Sequence, residues 1–255
     1  MSTTMEAMRL AGRLIVENGG EIYRVEETIT RMGRAFGLEE VESFSVPSGV
    51  FISFSTPDGG SECSVTRVHK GATDLNRVDQ VNAVSRRVEA GELTSEQALK
   101  ALQDIVNGRR LPWYLLIPAA GLCAAGFAAM FNGGIPEITA AFAAGALVQG
   151  FATLLERRGL HSFVSLLLCG FLSTVIPLLL TLIWPDLALD AAVGAALMPM
   201  LPGLAMTNAV QDTIRGDLMS GLGHGIQALL TAAFIAGGAA AGTALWALLR
   251  RGALL

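Results

Sequence analysis

The residues best equipped for chemistry lie close together. Met198-Pro199-Met200-Leu201-Pro202-Gly203 runs into Leu204-Ala205-Met206-Thr207-Asn208-Ala209-Val210-Gln211-Asp212, and the polar run closes at Asp217. Pro202 removes a backbone donor and crowds the carbonyl four residues back, and Gly203 loosens the chain further. A helix is expected to break there. Freed carbonyls and amides at membrane depth are tolerated only inside protein or along a wet cavity. Thr207, Asn208, Gln211 and Asp212 follow within two turns, and Asn208 and Asp212 share a helical face at i and i+4. An ionisable group in such a place defaults to a functional role. The chemistry on offer is the binding of a small polar solute or the carrying of a proton, with Asp217 a further candidate nearer water. A plainer reading ends the apolar helix near Asn208 and makes Gln211–Asp217 a polar loop. His224 follows this loop, and one histidine near a helix start is more often structural.

The elements that would position these groups follow from composition. The chain has 255 residues, 52% hydrophobic and 16% charged, against about 25% charged in ordinary soluble domains. Its charges are unevenly placed. Residues 1–110 carry 13 Lys/Arg and 16 Asp/Glu, whereas residues 111–255 carry 5 and 6. A small domain of soluble composition (1–110) therefore precedes a membrane domain (111–255). The net charge of −4 and the lack of a basic tract argue against nucleic acid as a partner. Cys63, Cys123 and Cys169 form neither a disulfide framework nor a metal knuckle, and no metal, cofactor or catalytic residue is assigned.

In the first domain, residues 5–18 read as a helix broken by Gly19-Gly20. A second helix carries the apolar stripe Ile22, Val25, Ile29, Met32 and Phe36, at spacings of one helical face. Its polar side holds Glu21, Arg24 and Glu27, close enough to pair, as either a solvated face or a gating or docking surface. Strand-like runs follow at 41–46, 50–56 and 61–68, separated by Pro47-Ser48-Gly49 and Pro57-Asp58-Gly59-Gly60. Two helices, near 74–89 and 95–107, complete an α+β unit. Thr94 and Gln97 form a capping box on the last one, which Gly108-Arg109-Arg110 ends.

The second domain divides into five apolar spans, each near the 20 or so residues that a bilayer requires. They run at about 111–131, 137–155, 161–184, 187–210 and 221–249. With the N-terminus inside, Arg109, Arg110, Arg157, Arg158 and Arg215 fall on the cytoplasmic side, against Arg250 and Arg251 outside. A re-entrant fourth segment would bring the last two inside as well. Trp113, Trp184 and Trp246 mark interfacial ends. The four-residue steps Gly221/Gly225, Gly238/Gly242 and Gly121/Ala125/Ala129 offer close helix packing. The fold class is thus mixed: a small cytoplasmic α+β domain followed by an all-α polytopic bundle of five transmembrane helices.

At this point a resemblance becomes specific. Leu201-Pro202-Gly203, Thr207-Asn208-Ala209-Val210-Gln211-Asp212, Gly216-Asp217 and Ser220-Gly221 resemble the signature of the threonine/serine exporter family. The segments Glu17-Asn18-Gly19-Gly20-Glu21-Ile22-Tyr23-Arg24-Val25-Glu26-Glu27 and Gly33-Arg34-Ala35-Phe36-Gly37 resemble its amino-terminal motif, and Asn132-Gly133-Gly134 also fits. The resemblance implies the first of two halves that are fused in full-length members, and a separate small membrane subunit resembling the second half. A second copy of the chain is a further candidate partner. It also implies export of hydroxy amino acids or C4 dicarboxylates, driven by the proton motive force across a bacterial inner membrane. On that resemblance Asn208 and Asp212 become the leading site residues, with Pro202 and Gly203 as hinge. The family's late polar position is Gln227 here, not an acid. Two other classes stay open: a regulatory or assembly subunit whose partner holds the pathway, and a membrane enzyme using Ser173 or Ser220 with His224. The enzyme reading lacks a nucleophile elbow, a metalloprotease helix and a phosphate loop.

Overall fold

The computed structural model of the chain describes residues 2–56, 60–69, 73–109 and 111–252. The turn residues Pro57-Asp58-Gly59 and the arginine at Arg110, both assigned above, lie outside the described residues. The structure is mainly helical, with one small sheet, and divides into two compact units. One comprises Met1–Arg109 with Leu204–Ile226, and the other Arg110–Gly203 with Gln227–Leu255.

The first unit begins with α1 (Thr3–Glu17), whose N-terminus is capped by the Ser2 hydroxyl accepting from the Met5 amide. Gly19, at φ +85°, makes the reversal that only glycine adopts freely, and α2 (Ile22–Ala35) follows. Ile22, Val25, Ile29 and Met32 of the expected stripe are buried, and Phe36 packs against them partly exposed. Strands β1 (Glu39–Val46), β2 (Gly49–Ser55) and β3 (Ser61–Arg67) form an antiparallel sheet in the order β1-β2-β3. Val46 pairs with Gly49 across the first hairpin, and Phe44 with Phe51. Strand alternation sends Val50, Ile52 and Phe54 into the core and leaves Phe44 and Phe51 exposed on the other face. Helices α3 (Leu75–Glu89) and α4 (Ser95–Asn107) add Val81, Val88 and Leu102 to the same core. The capping box opens α4 as expected: the Gln97 amide donates to the Thr94 hydroxyl, and the Thr94 amide to the Gln97 side chain.

In the second unit, α5 (Trp113–Met130) and α6 (Ile135–Arg157) are antiparallel neighbours joined through Asn132, which sits at φ +58°. Their contact is built from small residues. A Cβ on Gly121 would lie 2.9 Å from the Phe142 carbonyl, and one on Gly145 would lie 2.8 Å from Ala124 Cβ. The buried stripe on α5 is Gly121, Ala124 and Ala128, whereas Ala129 is exposed. This corrects the four-residue step Gly121/Ala125/Ala129. At 3.6 residues per turn a straight contact face advances by threes and fours, so repeated fours drift off it. At one end of the pair the Arg157 guanidinium stacks over Trp113 at 4.4 Å, and at the other Glu137 accepts from the Ala188 amide at 2.8 Å. Gly238 and Gly242 press on α7 (Ser162–Leu180) at Leu167 and Phe171.

The fourth apolar segment is not one helix. It consists of α8 (Leu189–Leu197), a single 3-10 turn at Met198–Met200, and α9 (Gly203–Ile214), with a bend of 60° between its halves. Leu201 and Pro202 fall in the break. The last helix, α10, runs from Leu218 to Gly252. Among the described residues four helices are long and apolar enough to cross a membrane, or five if the bent pair is one span.

Candidate functional site

Within the first unit, α9 brings the expected site residues against the amino-terminal motif. Asn208 and Asp212 lie one turn apart and are 3% and 1% exposed, which places both side chains in the protein interior. Asn208 donates through Nδ2 to the Gly19 carbonyl at 3.4 Å. That carbonyl is presented by the glycine turn, which is fixed from behind by the buried Asn18. Asn18 donates through Nδ2 to the Leu14 carbonyl at 2.7 Å, and its own carbonyl accepts from the Asp74 amide. A side chain at Gly19 would be strained at that φ and would meet Leu204 and Thr73 at 3.2–3.3 Å. The Asn-Gly-Gly spelling of the motif thus has a physical cause: one amide braces a turn whose bare backbone receives α9.

Asp212 is held from two sides. Its carboxylate Oδ2 lies 2.9 Å from His224 Nδ1, and its backbone carbonyl accepts from the Asp217 amide at 3.0 Å. Oδ1 is buried and has no hydrogen-bond partner among the described residues. Gly216, at φ +90°, turns the chain, and the Asp217 carboxylate then caps α10 by accepting from the Ser220 amide at 3.0 Å. The cap fixes the register of α10, so His224, two turns beyond Asp217, returns to Asp212. Gly221 packs against Ala209 and Thr213, where any larger residue would push α9 away.

Glu26, on α2, accepts from the Ser45 amide at 2.9 Å. Burial raises its carboxyl above the ordinary glutamate value, the Ser45 donor opposes this, and the nearby Asp217 and Asp212 charges raise it further. Arg215 lays its guanidinium over the Tyr23 ring at 3.6 Å. Of the motif charges, Arg24 pairs with Glu21 at 2.6 Å, whereas Glu27 pairs with Arg31 rather than with Arg24. Thr207 is exposed, and Gln211 is half-buried with its Oε1 unpartnered among the described residues. Pro202 lies in the break between α8 and α9, and Gly203 opens α9.

Sequence reasoning gives His224 and Ser220 only a structural or an enzymatic part and quotes Asn18 and Glu26 only within the amino-terminal motif, so it places none of the four beside Asn208 and Asp212. The histidine had one available signal, since Asp217, Ser220 and His224 repeat at three and four on one face of α10. Glu26 borders the apolar stripe next to Val25, where a carboxylate is bound to be half-covered. Ser220 is fully buried, but its hydroxyl has no hydrogen-bond partner among the described residues. The Asp212–His224 pair is therefore not extended to a serine nucleophile here. No cluster fit to hold a metal ion occurs among the described residues.

The family model described as "Putative threonine/serine exporter" matches residues 6–246. The chain belongs to the threonine/serine exporter family. It is 30% identical to the "Probable succinate transporter subunit YjjP" of Escherichia coli K12 over 89% of this chain and 88% of that one. It is 24% identical to the "Probable threonine/serine exporter" of Mycobacterium tuberculosis H37Rv, over 90% of this chain but 44% of that one. No solved structure matches. Family and apolar helices together make this a membrane protein with a role in transport.

Proposed function

We propose that the chain is one subunit of a secondary exporter of small polar metabolites, either hydroxy amino acids or C4 dicarboxylates, driven by the proton motive force. It sits in the bacterial inner membrane with the amino-terminal domain in the cytoplasm. The observation that carries this reading is the Asp212–His224 pair, 2.9 Å apart and almost wholly buried. A buried acid bonded to an imidazole holds a proton that a small change of surroundings displaces. Asn208, one turn away, supplies a neutral donor and acceptor for solute or backbone, with Thr207, Gln211 and Asp217 alongside. Pro202 and Gly203 are the hinge that lets α9 move with the proton state. Transporters commonly build their sites on such interrupted helices.

The partner is a small membrane subunit resembling the second half of the family. The mycobacterial relative, of which this chain matches 44%, supports a pathway completed by a second polypeptide. The word "subunit" in the name of the Escherichia coli relative points the same way. The test is efflux of labelled threonine, serine and succinate from cells with and without that subunit, before and after collapse of the proton gradient. Asp212→Asn is expected to lower efflux while the protein stays in the membrane. Full efflux in that variant, or efflux indifferent to the gradient, overturns the reading.

A further inference from the structure

The polar side of α2 does more than face water. Tyr23, Glu27, Thr30 and Arg34 recur at three and four along it, with Glu26 and Arg31 beside them. With Arg215 and Glu89 they enclose an open cleft of about 820 Å³. Its charges do not cancel locally. Arg31 is bound to both Glu27 and Glu89, the latter at 3.5 Å, so its charge is fully engaged and this group of three keeps one negative charge. Glu26 is turned to the Ser45 amide. Arg34 and Arg215 have no carboxylate within ion-pair distance among the described residues. Arg215 is nonetheless not loose. Its guanidinium carbon sits 3.6 Å from the centre of the Tyr23 ring, a cation–π contact that ties Arg215 to α2 without consuming an N–H donor. A planar fork held in this way matches a carboxylate, which accepts two parallel N–H bonds.

We propose that this cleft is a binding site for a small organic carboxylate, clamped by Arg34 and Arg215 and flanked by the Tyr23 and Thr30 hydroxyls. It goes beyond the exporter reading, which concerns Asn208 and Asp212. The flanking Glu26, Glu27 and Glu89 disfavour a compact multiply charged ion such as phosphate and leave room for one carboxylate at the arginine edge. The same guanidinium chemistry suits a lipid phosphate, so the experiment must separate the two sources.

The full chain in nanodiscs of neutral lipid is titrated calorimetrically with succinate, L-threonine and inorganic phosphate, and separately mixed with anionic vesicles. Saturable binding of at least one of the two organic acids is expected. Arg34→Gln and Arg215→Gln should each weaken it about tenfold to a hundredfold, the loss of one charge-assisted contact. Arg34→Lys, which keeps charge without the fork, should fall between. Arg87→Gln, on α3 and in an exposed pair with Glu92 just beyond it, should bind as the parent does. Asp212→Asn should retain the part of the binding that depends on Arg34 and Arg215, whatever becomes of solute held at Asn208, so a failure of the exporter reading and a failure of the cleft give different results. The proposal is overturned if neither acid binds saturably, if both arginine variants bind normally, or if phosphate binds more tightly than the acids. Arginine-dependent association seen only with anionic vesicles, or loss of the arginine-dependent binding in Asp212→Asn, overturns it equally.

Discussion

Removing the imidazole of His224 should destabilise the protein through Asp212 rather than through lost packing. In the parent the two side chains are 13% and 1% exposed and meet at 2.9 Å. Asp212 Oδ1 already has no donor among the described residues, so His224 Nδ1 is the carboxylate's one side-chain partner there. In His224→Ala the carboxylate must stay buried without that partner or take up a proton. Stripping one member from a buried pair costs about 3–5 kcal/mol. For a chain of this size each kcal/mol moves Tm by roughly 2–4 °C, so a fall of at least about 6 °C is expected. Asp212→Asn alone should cost less, because an amide retains one hydrogen bond and carries no charge. The decisive measurement is a double-mutant cycle read by thermal unfolding in detergent micelles. His224→Ala made in the Asp212→Asn background should lose most of its effect, giving a coupling of about 1.5–3 kcal/mol, the worth of a hydrogen bond to a charged group. Additive effects, equal within about 0.5 kcal/mol, would show that the pair holds no interaction energy and would remove the basis for treating it as a proton site.

Three further expectations concern other parts of the chain. Because the Glu26 carboxyl is raised in the folded protein, chiefly by burial, the native state holds its proton more tightly than the unfolded chain. Stability from this group is therefore full below the ordinary value of 4.5 and is lost as pH rises through the raised one. Glu26→Gln should flatten the pH dependence of Tm over that window, and parallel curves would refute it. Gly238→Leu should separate α10 from α7, because a side chain there runs into the Leu167 carbonyl, at a cost of about 1–3 kcal/mol or more. Gly237→Leu, where a Cβ meets nothing within 4 Å, is the control that should melt like the parent. Cys63 is exposed on β3 and Cys169 is buried. In a chain retaining Cys63 alone, a membrane-impermeant maleimide should react in inside-out vesicles and not in right-side-out ones. The opposite sidedness would place the amino-terminal domain outside.

Local signals were legible in the sequence, and distant partnerships were not. The α2 stripe, the Thr94–Gln97 box and the Pro202-Gly203 break each rest on residues within a turn or two of one another, so helix periodicity and backbone chemistry suffice to find them. The apolar helices could be read because a bilayer demands long uncharged runs. The hydrogen bond from Asn208 to Gly19 spans 189 positions, and no local rule pairs two such residues. The same holds for Glu26 and Ser45, which come together only because α2 packs beside β1. Three-residue spacing lets Glu27 reach Arg24, but it pairs instead with Arg31, four residues on. The cleft made the choice, since Arg31 also reaches Glu89 from its side of the helix.

The length of α10 has a consequence for the lipid around it. Leu218–Gly252 is 35 residues, about 52 Å of continuous helix, whereas the hydrocarbon core is about 30 Å thick. Some 20 Å of rod has no place in an average bilayer if it stands upright. Its opening turns carry the buried Ser220 and the Asp212-bonded His224, and the run after Gln227 is apolar. Such a helix carries slack along its axis. It can meet a thicker membrane by drawing in more of its length, and a thinner one by leaning, without the stretch or compression that a helix cut to fit would suffer.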